Sequence, residues 1–217
     1  MIDLYGQQHQ AMQGLFSTTE LAKRVQQNIV TNEFAEDHRA FNESRDMFYL
    51  TTIDHRGYPT CSYKGGSPGF VKVPDSRTLA FPSYDGNGMF LSMGNIIANS
   101  KIGMLFIDFE TPHRVRVHGE ARVVMDGPLI ELFPGAEMAV SVTLTEVFVN
   151  CPRYIHQYQR IATSKYVPQP DKETPLPSWK RIEGLQDALP AQDRQKVGAM
   201  GTITPEEYAE LVMKGQA

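Results

Sequence analysis

The chain has 217 residues, a formal net charge of −4, 41% hydrophobic residues and 21% charged residues. This composition is typical of a globular protein with one main domain, and the lack of a basic excess argues against a nucleic acid or an anionic membrane as a partner. Its two cysteines are too few for a disulfide framework. No apolar run is long enough to span a membrane, and the first ten residues lack the order of a signal peptide. We therefore expect a cytoplasmic protein.

Helices are predicted at both ends of the chain. Val25, Ile29 and Val30 lie at helical spacing, residues 17–20 (STTE) match a capping box, and a second helical stretch is predicted over residues 32–45. Residues 165–200 are rich in proline and predict an extended arm, followed by a helix capped by Thr204 with Pro205 in its first turn. The predicted boundaries are 1–45 for the helical segment, 46–160 for the main domain and 161–217 for the arm and last helix.

The middle of the chain is predicted to be mainly β. Aromatic and β-branched residues at 47–53 and 58–64 flank a turn and predict a hairpin, and residues 70–73 and 78–81 predict a second one. A loop and a short helix over 92–99 follow, then a buried strand over 101–109 and alternating strands over 113–125 and 139–149, with a small helix over 129–133 between them. Strands in hairpin order favour an antiparallel, closed or partly closed barrel with flanking helices over a parallel sheet.

Known nucleotide and metal motifs are missing from the sequence. It contains no P-loop, and the pair Gly86 and Gly88 follows a loop rather than a strand, so a Rossmann fingerprint is not supported. His113 and His118 have no cysteine or carboxylate at metal spacing.

A set of polar residues lies between a strand end and the short helix: Ser83, Tyr84, Asn87, Ser92 and Asn95. Backbone N–H groups at a helix N-terminus attract phosphate, and nearby glycines allow a ligand to approach the backbone. An ordinary strand-to-helix loop with its cap residues explains the same pattern, so both interpretations stay open.

Three basic residues are further candidates. Lys64 ends a predicted strand, and Arg114 and Arg116 alternate with apolar residues, which places both on one face of a strand. A solvated strand end and a solvated outer face are the alternative explanations.

The order of these segments resembles the pyridoxamine-5′-phosphate-oxidase-like, FMN-binding split-barrel superfamily over residues 41–154. The resemblance is carried by the following segments: 47–66 (MFYLTTIDHRGYPTCSYKGG), 79–99 (LAFPSYDGNGMFLSMGNIIAN), 101–109 (KIGMLFIDF), 113–123 (HRVRVHGEARV) and 150–155 (NCPRYI). It implies a six-stranded antiparallel Greek-key split barrel and a homodimer that holds FMN at its interface.

The resemblance also implies which residues contact FMN. The residues along the flavin ring and ribityl chain would be Ser62, Tyr63, Lys64, Phe81, Pro82, Ser83 and Tyr84. The residues at the phosphate would be Asn87, Ser92, Met93, Gly94 and Asn95. The residues that reach the partner's flavin would be Arg114 and Arg116. Where many relatives carry basic residues before the short helix, this chain has the run 92–95 (SMGN). Trp179 lies in the arm, and the C-terminal pattern of a true pyridoxamine-phosphate oxidase is missing, which argues against a vitamin B6 substrate.

The expected function is therefore that of an FMN-dependent oxidoreductase acting on a small molecule, with the flavin performing the redox chemistry. Two alternatives remain: a non-catalytic flavin-binding protein or free-flavin reductase, and a split barrel that binds heme or a deazaflavin instead of FMN. His113 and His118 are the barrel-strand candidates for a heme ligand.

Overall fold

The computed structural model describes residues 4–169 and 171–217. They divide into two units, with the boundary between Thr163 and Ser164. The larger unit begins with three helices: α1 (Gln7–Leu15), α2 (Thr19–Ile29) and α3 (Glu36–Ser44). The predicted capping box at residues 17–20 is wrong. Thr18 is the N-cap of α2 but makes no side-chain cap bond, because its hydroxyl donates to the carbonyl of Gln13 at 3.4 Å, and Ser17 has a left-handed backbone with φ 55°.

Seven strands follow, with two short helices among them. They are β1 (Met47–Ile53), β2 (Pro59–Gly65), β3 (Lys72–Asp75), β4 (Thr78–Ser83), α4 (Leu91–Ala98), β5 (Lys101–Asp108), β6 (His113–Val124), α5 (Pro128–Glu131) and β7 (Met138–Val149). All strand pairs are antiparallel, and the sheet order is β2-β1-β5-β6-β7-β4-β3. A mainly-β antiparallel fold with flanking helices is thus confirmed. In this pairing β2 and β3 form the two edges, and the six-stranded split barrel stays a prediction.

Side-chain alternation gives the sheet a core face and an outer face. The core face of β1 carries Phe48, whose ring lies 5.0–5.8 Å from those of Phe70, Phe81 and Phe106. These four side chains are at most 6% exposed and form the centre of a large apolar cluster. In β2, β1, β5 and β6, the side chains that alternate with the core residues point to the outer face.

A bulge interrupts the pairing of β6 with β7 at His118 and Gly119. A Cβ atom at Gly119 would lie 2.6 Å from the carbonyl oxygen of Thr143, so the close approach of the two strands requires glycine at this position.

The smaller unit contains a 3₁₀ helix (Ser178–Arg181) and two α-helices, α6 (Ala191–Met200) and α7 (Pro205–Met213). The predicted cap of α7 is confirmed, because the Thr204 hydroxyl accepts the Glu207 N–H at 3.2 Å and the Glu207 carboxylate accepts the Thr204 N–H at 2.8 Å. Helix α6 was not predicted. It lies within the segment expected to be extended, and its Val197 is buried. Among the described residues, no helix has the length and apolarity needed to cross a membrane.

Candidate cofactor site

The predicted site residues of β2 lie on both faces of that strand. Ser62 pairs with Leu50 and Lys64 pairs with Phe48, so both belong to the core face, whereas Tyr63 pairs with Tyr49 on the outer face. The Tyr63 ring is 63% exposed and meets the Tyr49 ring edge-on at 6.2 Å. Of the three predicted β2 residues, Ser62 and Lys64 therefore share a face with helix α4, and Tyr63 does not.

A cluster of hydroxyl and amide groups joins the β1–β2 hairpin to α4, and we call it the hydroxyl cluster: Thr52, Thr60, Ser62, Ser92 and Asn95. The Ser62 and Ser92 hydroxyls are 3.1 Å apart, and those of Thr52 and Thr60 are 2.7 Å apart. The Asn95 amide nitrogen donates to Thr52 at 3.0 Å and to Thr60 at 3.2 Å. Ser92 and Asn95 are buried, at 6% and 9% exposure. The cluster fixes the first turns of α4 against the hairpin.

The N-terminus of α4 begins at a strained residue. Phe90 is the N-cap, with φ 47° in the left-handed region, and its side chain makes no cap hydrogen bond. The first N–H groups of a helix have no intrahelical acceptor, and the helix dipole makes this end positive. The N–H groups that begin α4 therefore lie next to the Ser92 hydroxyl, which suits them to an anion.

Lys64 adds a positive charge on the same face. It is half-buried, and burial lowers the pKa of its ammonium group. Within the described part of the chain it forms no ion pair. A half-buried cation without a carboxylate is costly for the folded protein alone, and an anionic ligand would relieve that cost.

The remaining residues predicted from 81–94 have different environments. The Phe81 and Met93 side chains belong to the apolar core, so only their backbone is available to a ligand. The exposed Asn87 side chain accepts the Met89 N–H at 3.1 Å and so closes a local turn. Tyr84 is half-buried, which raises the pKa of its hydroxyl. The other predicted residues of this segment are the buried Pro82, the half-buried Ser83 and the exposed Gly94.

Arg114 and Arg116 lie on the outer face of β6, away from the hydroxyl cluster. Their neighbours in the strand, Val115 and Val117, are fully buried on the core face. The Arg116 guanidinium lies 5.7 Å from the Phe148 ring centroid, and the buried Nε of Arg114 has no hydrogen-bond partner among the described residues. Within one protomer, the two arginines and the hydroxyl cluster are on opposite faces of the sheet.

A family model described as pyridoxamine 5′-phosphate oxidase matches residues 34–160, more than half of the chain and the whole of the sheet. The chain belongs to the pyridoxamine 5′-phosphate oxidase family. Membership supports a flavin-binding, oxidoreductase-like function at the level of the family.

Solved structures with similar folds have low sequence identity. A protein from Lactobacillus delbrueckii, named as a candidate pyridoxamine 5′-phosphate oxidase, is 25% identical, with 54% of this chain and 95% of that chain covered and a TM-score of 0.44. HupZ from Group A Streptococcus is 17% identical (54% and 94% covered, TM-score 0.45), and an FMN-binding protein from Syntrophomonas wolfei is 11% identical (64% and 97% covered, TM-score 0.42). No curated protein sequence matches.

The donors present in this family member fit a flavin phosphate. A phosphate dianion needs hydrogen-bond donors and positive charge, and here these are hydroxyls, helix N–H groups and a lysine on one face. Among the described residues no group of three or more histidine, cysteine or carboxylate side chains could hold a metal ion. Hydroxyls, helix N–H groups and a lysine together have the chemistry of an anion site.

Sequence reasoning missed two residues of this site, and it missed Glu146 on the outer face of the sheet. Thr52 and Thr60 complete the hydroxyl cluster. They pair directly across the β1–β2 hairpin, and this pairing is the signal that could have identified them. The Glu146 carboxylate accepts a hydrogen bond from His118 Nδ1 at 2.8 Å, a contact that depends on the β6–β7 register. His113, the other candidate heme ligand, packs edge-on against Phe41 with ring centroids 4.6 Å apart.

Proposed function

We propose that the protein is an FMN-dependent oxidoreductase that acts on a small molecule. The observation that carries this proposal is the half-buried Lys64, which forms no ion pair with the described residues and lies on the same face as the Ser62 and Ser92 hydroxyls. It belongs to a domain of the pyridoxamine 5′-phosphate oxidase family. When bound, FMN supplies the redox chemistry, and the protein positions it and tunes its electronics.

The phosphate is assigned to the N-terminus of α4. There the backbone N–H groups and the Ser62 and Ser92 hydroxyls would donate hydrogen bonds, and the Lys64 ammonium would supply positive charge. This arrangement replaces the basic residues that residues 92–95 lack. It also explains why Lys64 remains on the core face of an edge strand despite the cost of burial.

The ring is assigned to the open edge of β2, at an interface with a second copy of the chain. Exposed apolar side chains precede and follow the start of α4: Met89 at 60%, Phe90 at 52%, Leu91 at 54% and Ile97 at 68% exposure. A second copy covering them would bury this apolar surface and bring its Arg114 and Arg116 to the flavin. We expect a dimer by sedimentation velocity; a flavin-loaded monomer would contradict the dimer but not the phosphate site.

Removing both hydroxyls should weaken FMN binding through its phosphate. We expect Ser62→Ala combined with Ser92→Ala to lower the affinity for FMN about tenfold, because each neutral donor contributes about 0.5–1.5 kcal/mol. Riboflavin, which lacks the phosphate, should bind the double variant as it binds the original protein. Ser76→Ala, in the exposed turn between β3 and β4, is the matched control. Equal losses for FMN and riboflavin would show that the phosphate lies elsewhere.

The cofactor that the protein retains on purification tests the proposed function. We expect absorption bands at about 370 and 450 nm, FMN in the heat-released fraction by mass spectrometry, and reduction by a chemical or nicotinamide donor. Released deazaflavin, an intense Soret band or a colourless protein that takes up no FMN would overturn the proposal. Bound FMN that no electron donor reduces would instead support a storage or carrier role.

A further inference from the structure

The two N-terminal helices present an apolar surface to solvent. Residues 4–30, which we call the N-terminal hairpin, contain α1 and α2, and neither helix has a buried residue. Helices of nine and eleven residues are marginal in water and depend on the packing of an apolar face. Five large apolar side chains of the hairpin are nevertheless 41–74% exposed: Met12, Leu15, Phe16, Leu21 and Val25. An exposed apolar surface of this kind marks a contact with another molecule.

The N-terminal hairpin is held in place by hydrogen bonds at both of its ends. In the turn between the helices, the Thr18 N–H and hydroxyl both donate to the Gln13 carbonyl, at 2.8 and 3.4 Å. After α2, Thr31 exchanges two backbone hydrogen bonds with Val147 of β7, at 3.0 and 2.8 Å. A partner that covers the hairpin therefore meets a preformed surface and pays little for ordering it.

Helix α2 carries opposite charges beside its exposed apolar stripe. Leu21 and Val25 are four residues apart and lie on one face of the helix. Glu20 and Arg24 have the same spacing, and helical periodicity places both on one flank of that stripe. Both charged side chains are exposed, and neither forms an ion pair within the described residues.

This pattern is complementary to itself. When two copies of α2 pack antiparallel about a two-fold axis at the level of residue 23, Leu21 of each copy lies opposite the partner's Val25. The charged flank of one helix then faces the same flank of the other, so Glu20 lies beside the partner's Arg24. The symmetry forms this ion pair twice, and like charges do not meet.

The apolar area of the hairpin is sufficient for a specific contact. Five large apolar side chains at this exposure offer roughly 500 Å² on each copy, so that two hairpins together would bury roughly 1,000 Å². That is the area above which a contact between proteins is expected to be specific.

We propose that the N-terminal hairpin docks onto the same hairpin of a second copy, with the two α2 helices antiparallel. The inference goes beyond the proposed function, because α1 and α2 contribute no residue to the hydroxyl cluster or to the apolar surface around α4. The contact forms with or without bound FMN.

Disulfide formation between two variants tests the register directly. The background is the full chain with Cys61→Ser and Cys151→Ser, since both cysteines are free and exposed. One protein carries Leu21→Cys and the other Val25→Cys; they are mixed while reduced and then oxidised, and intact mass identifies each dimer. We expect the mixed disulfide to exceed either same-variant disulfide at least about fivefold, because only this pairing brings the two Cβ atoms within disulfide range.

The matched control pair has the same spacing on the opposite face of α2. Thr19→Cys and Lys23→Cys are both at exposed positions and should form little disulfide when mixed. A mixed Leu21→Cys and Val25→Cys disulfide no more abundant than random pairing gives, or equally abundant in the control pair, would overturn the proposal. Another molecule would then cover the hairpin.

Charge reversal tests the ion pairs independently. Glu20→Arg in both cysteine proteins should slow formation of the mixed disulfide about fivefold, because it places two arginines beside the partner's Arg24. Glu20→Arg in one protein and Arg24→Glu in the other should restore the rate, since each helix then carries one sign of charge. An effect within a single helix would persist in this mixture, and a rate that is not restored would contradict the antiparallel contact.

FMN titration of the same proteins separates this contact from the proposed cofactor site. We expect Leu21→Cys and Val25→Cys to bind FMN with an affinity within about twofold of the original protein, because neither residue lies near α4 in the chain. FMN binding without the mixed disulfide overturns the hairpin contact alone. The mixed disulfide in a protein that binds no FMN overturns the proposed function alone.

Discussion

Lys64→Met is expected to lower the affinity for FMN about 100-fold and to leave the affinity for riboflavin within about twofold. The substitution removes the ammonium group but keeps an unbranched chain against the core face of β2. The loss of FMN affinity is large because the Lys64 ammonium forms a charged hydrogen bond with the phosphate. Lys64 is half-buried, so water screens this bond little. Quenching of flavin fluorescence on titration measures both affinities.

Lys72→Met is the matched control for this substitution. Lys72 is also half-buried but lies in β3, at the other edge of the sheet. Its replacement should leave FMN affinity within about twofold. If Lys64→Met weakens FMN and riboflavin equally, Lys64 contacts the ring rather than the phosphate. If it weakens neither, the proposed phosphate site is wrong.

The pH dependence of FMN binding follows from the same lysine. Burial lowers the pKa of Lys64 below its ordinary value of 10.5. Phosphate binding needs the charged form, so the advantage of FMN over riboflavin is complete below the Lys64 pKa and is lost as pH rises through it. In the FMN-free protein, the pH dependence of stability has the opposite sign. The unfolded chain binds the Lys64 proton more tightly than the folded protein does, so the free energy of unfolding increases as pH rises through the Lys64 pKa. Both dependences should disappear in Lys64→Met.

Asn95→Leu is expected to lower the free energy of unfolding by about 2 kcal/mol. Leucine has a similar volume, but it removes the amide that donates to Thr52 and Thr60, and Thr52 is only 1% exposed. Since this amide joins α4 to the hairpin, we also expect FMN affinity to fall because the helix N-terminus is less well fixed. Urea unfolding of the FMN-free protein measures the first effect, and flavin titration measures the second.

Asn99→Ala is the control for this position. Its side-chain oxygen accepts the Lys101 N–H at 3.1 Å in an exposed setting after the helix, so its removal should cost less than about 1 kcal/mol. A double-mutant cycle of Asn95→Leu with Thr52→Val should show non-additive losses, because both variants remove the same contact. Additive losses would show that Asn95 stabilises the fold by some other contact.

The sequence predicted the strands well because their signal is local. Residues 47–53 form β1 with the predicted bounds, and the apolar alternation of Ile102, Met104 and Phe106 fills the core face of β5. The capping box predicted at residues 17–20 does not form, and the Thr18 hydroxyl donates to the Gln13 carbonyl instead. Helix α6 was missed because the prolines around it dominated the composition of the segment.

The candidate site was harder to predict because its contacts join distant residues. Ser62 and Ser92 are thirty residues apart, and Asn95 is forty-three residues from Thr52. The pairing of His118 with Glu146 depends on a bulge that changes the register of β6 and β7. The alternation of side chains along a strand does predict that Tyr63 lies on the other face from Ser62 and Lys64. The family resemblance, in contrast, implied that all three residues lie along one flavin.

A crystal structure of the protein with FMN tests the central claim most directly. We expect the phosphate to lie within hydrogen-bonding distance of the Ser92 hydroxyl, the Lys64 ammonium and the first N–H groups of α4. A phosphate bound instead by Arg114 and Arg116 of the same protomer, on the outer face, would contradict it.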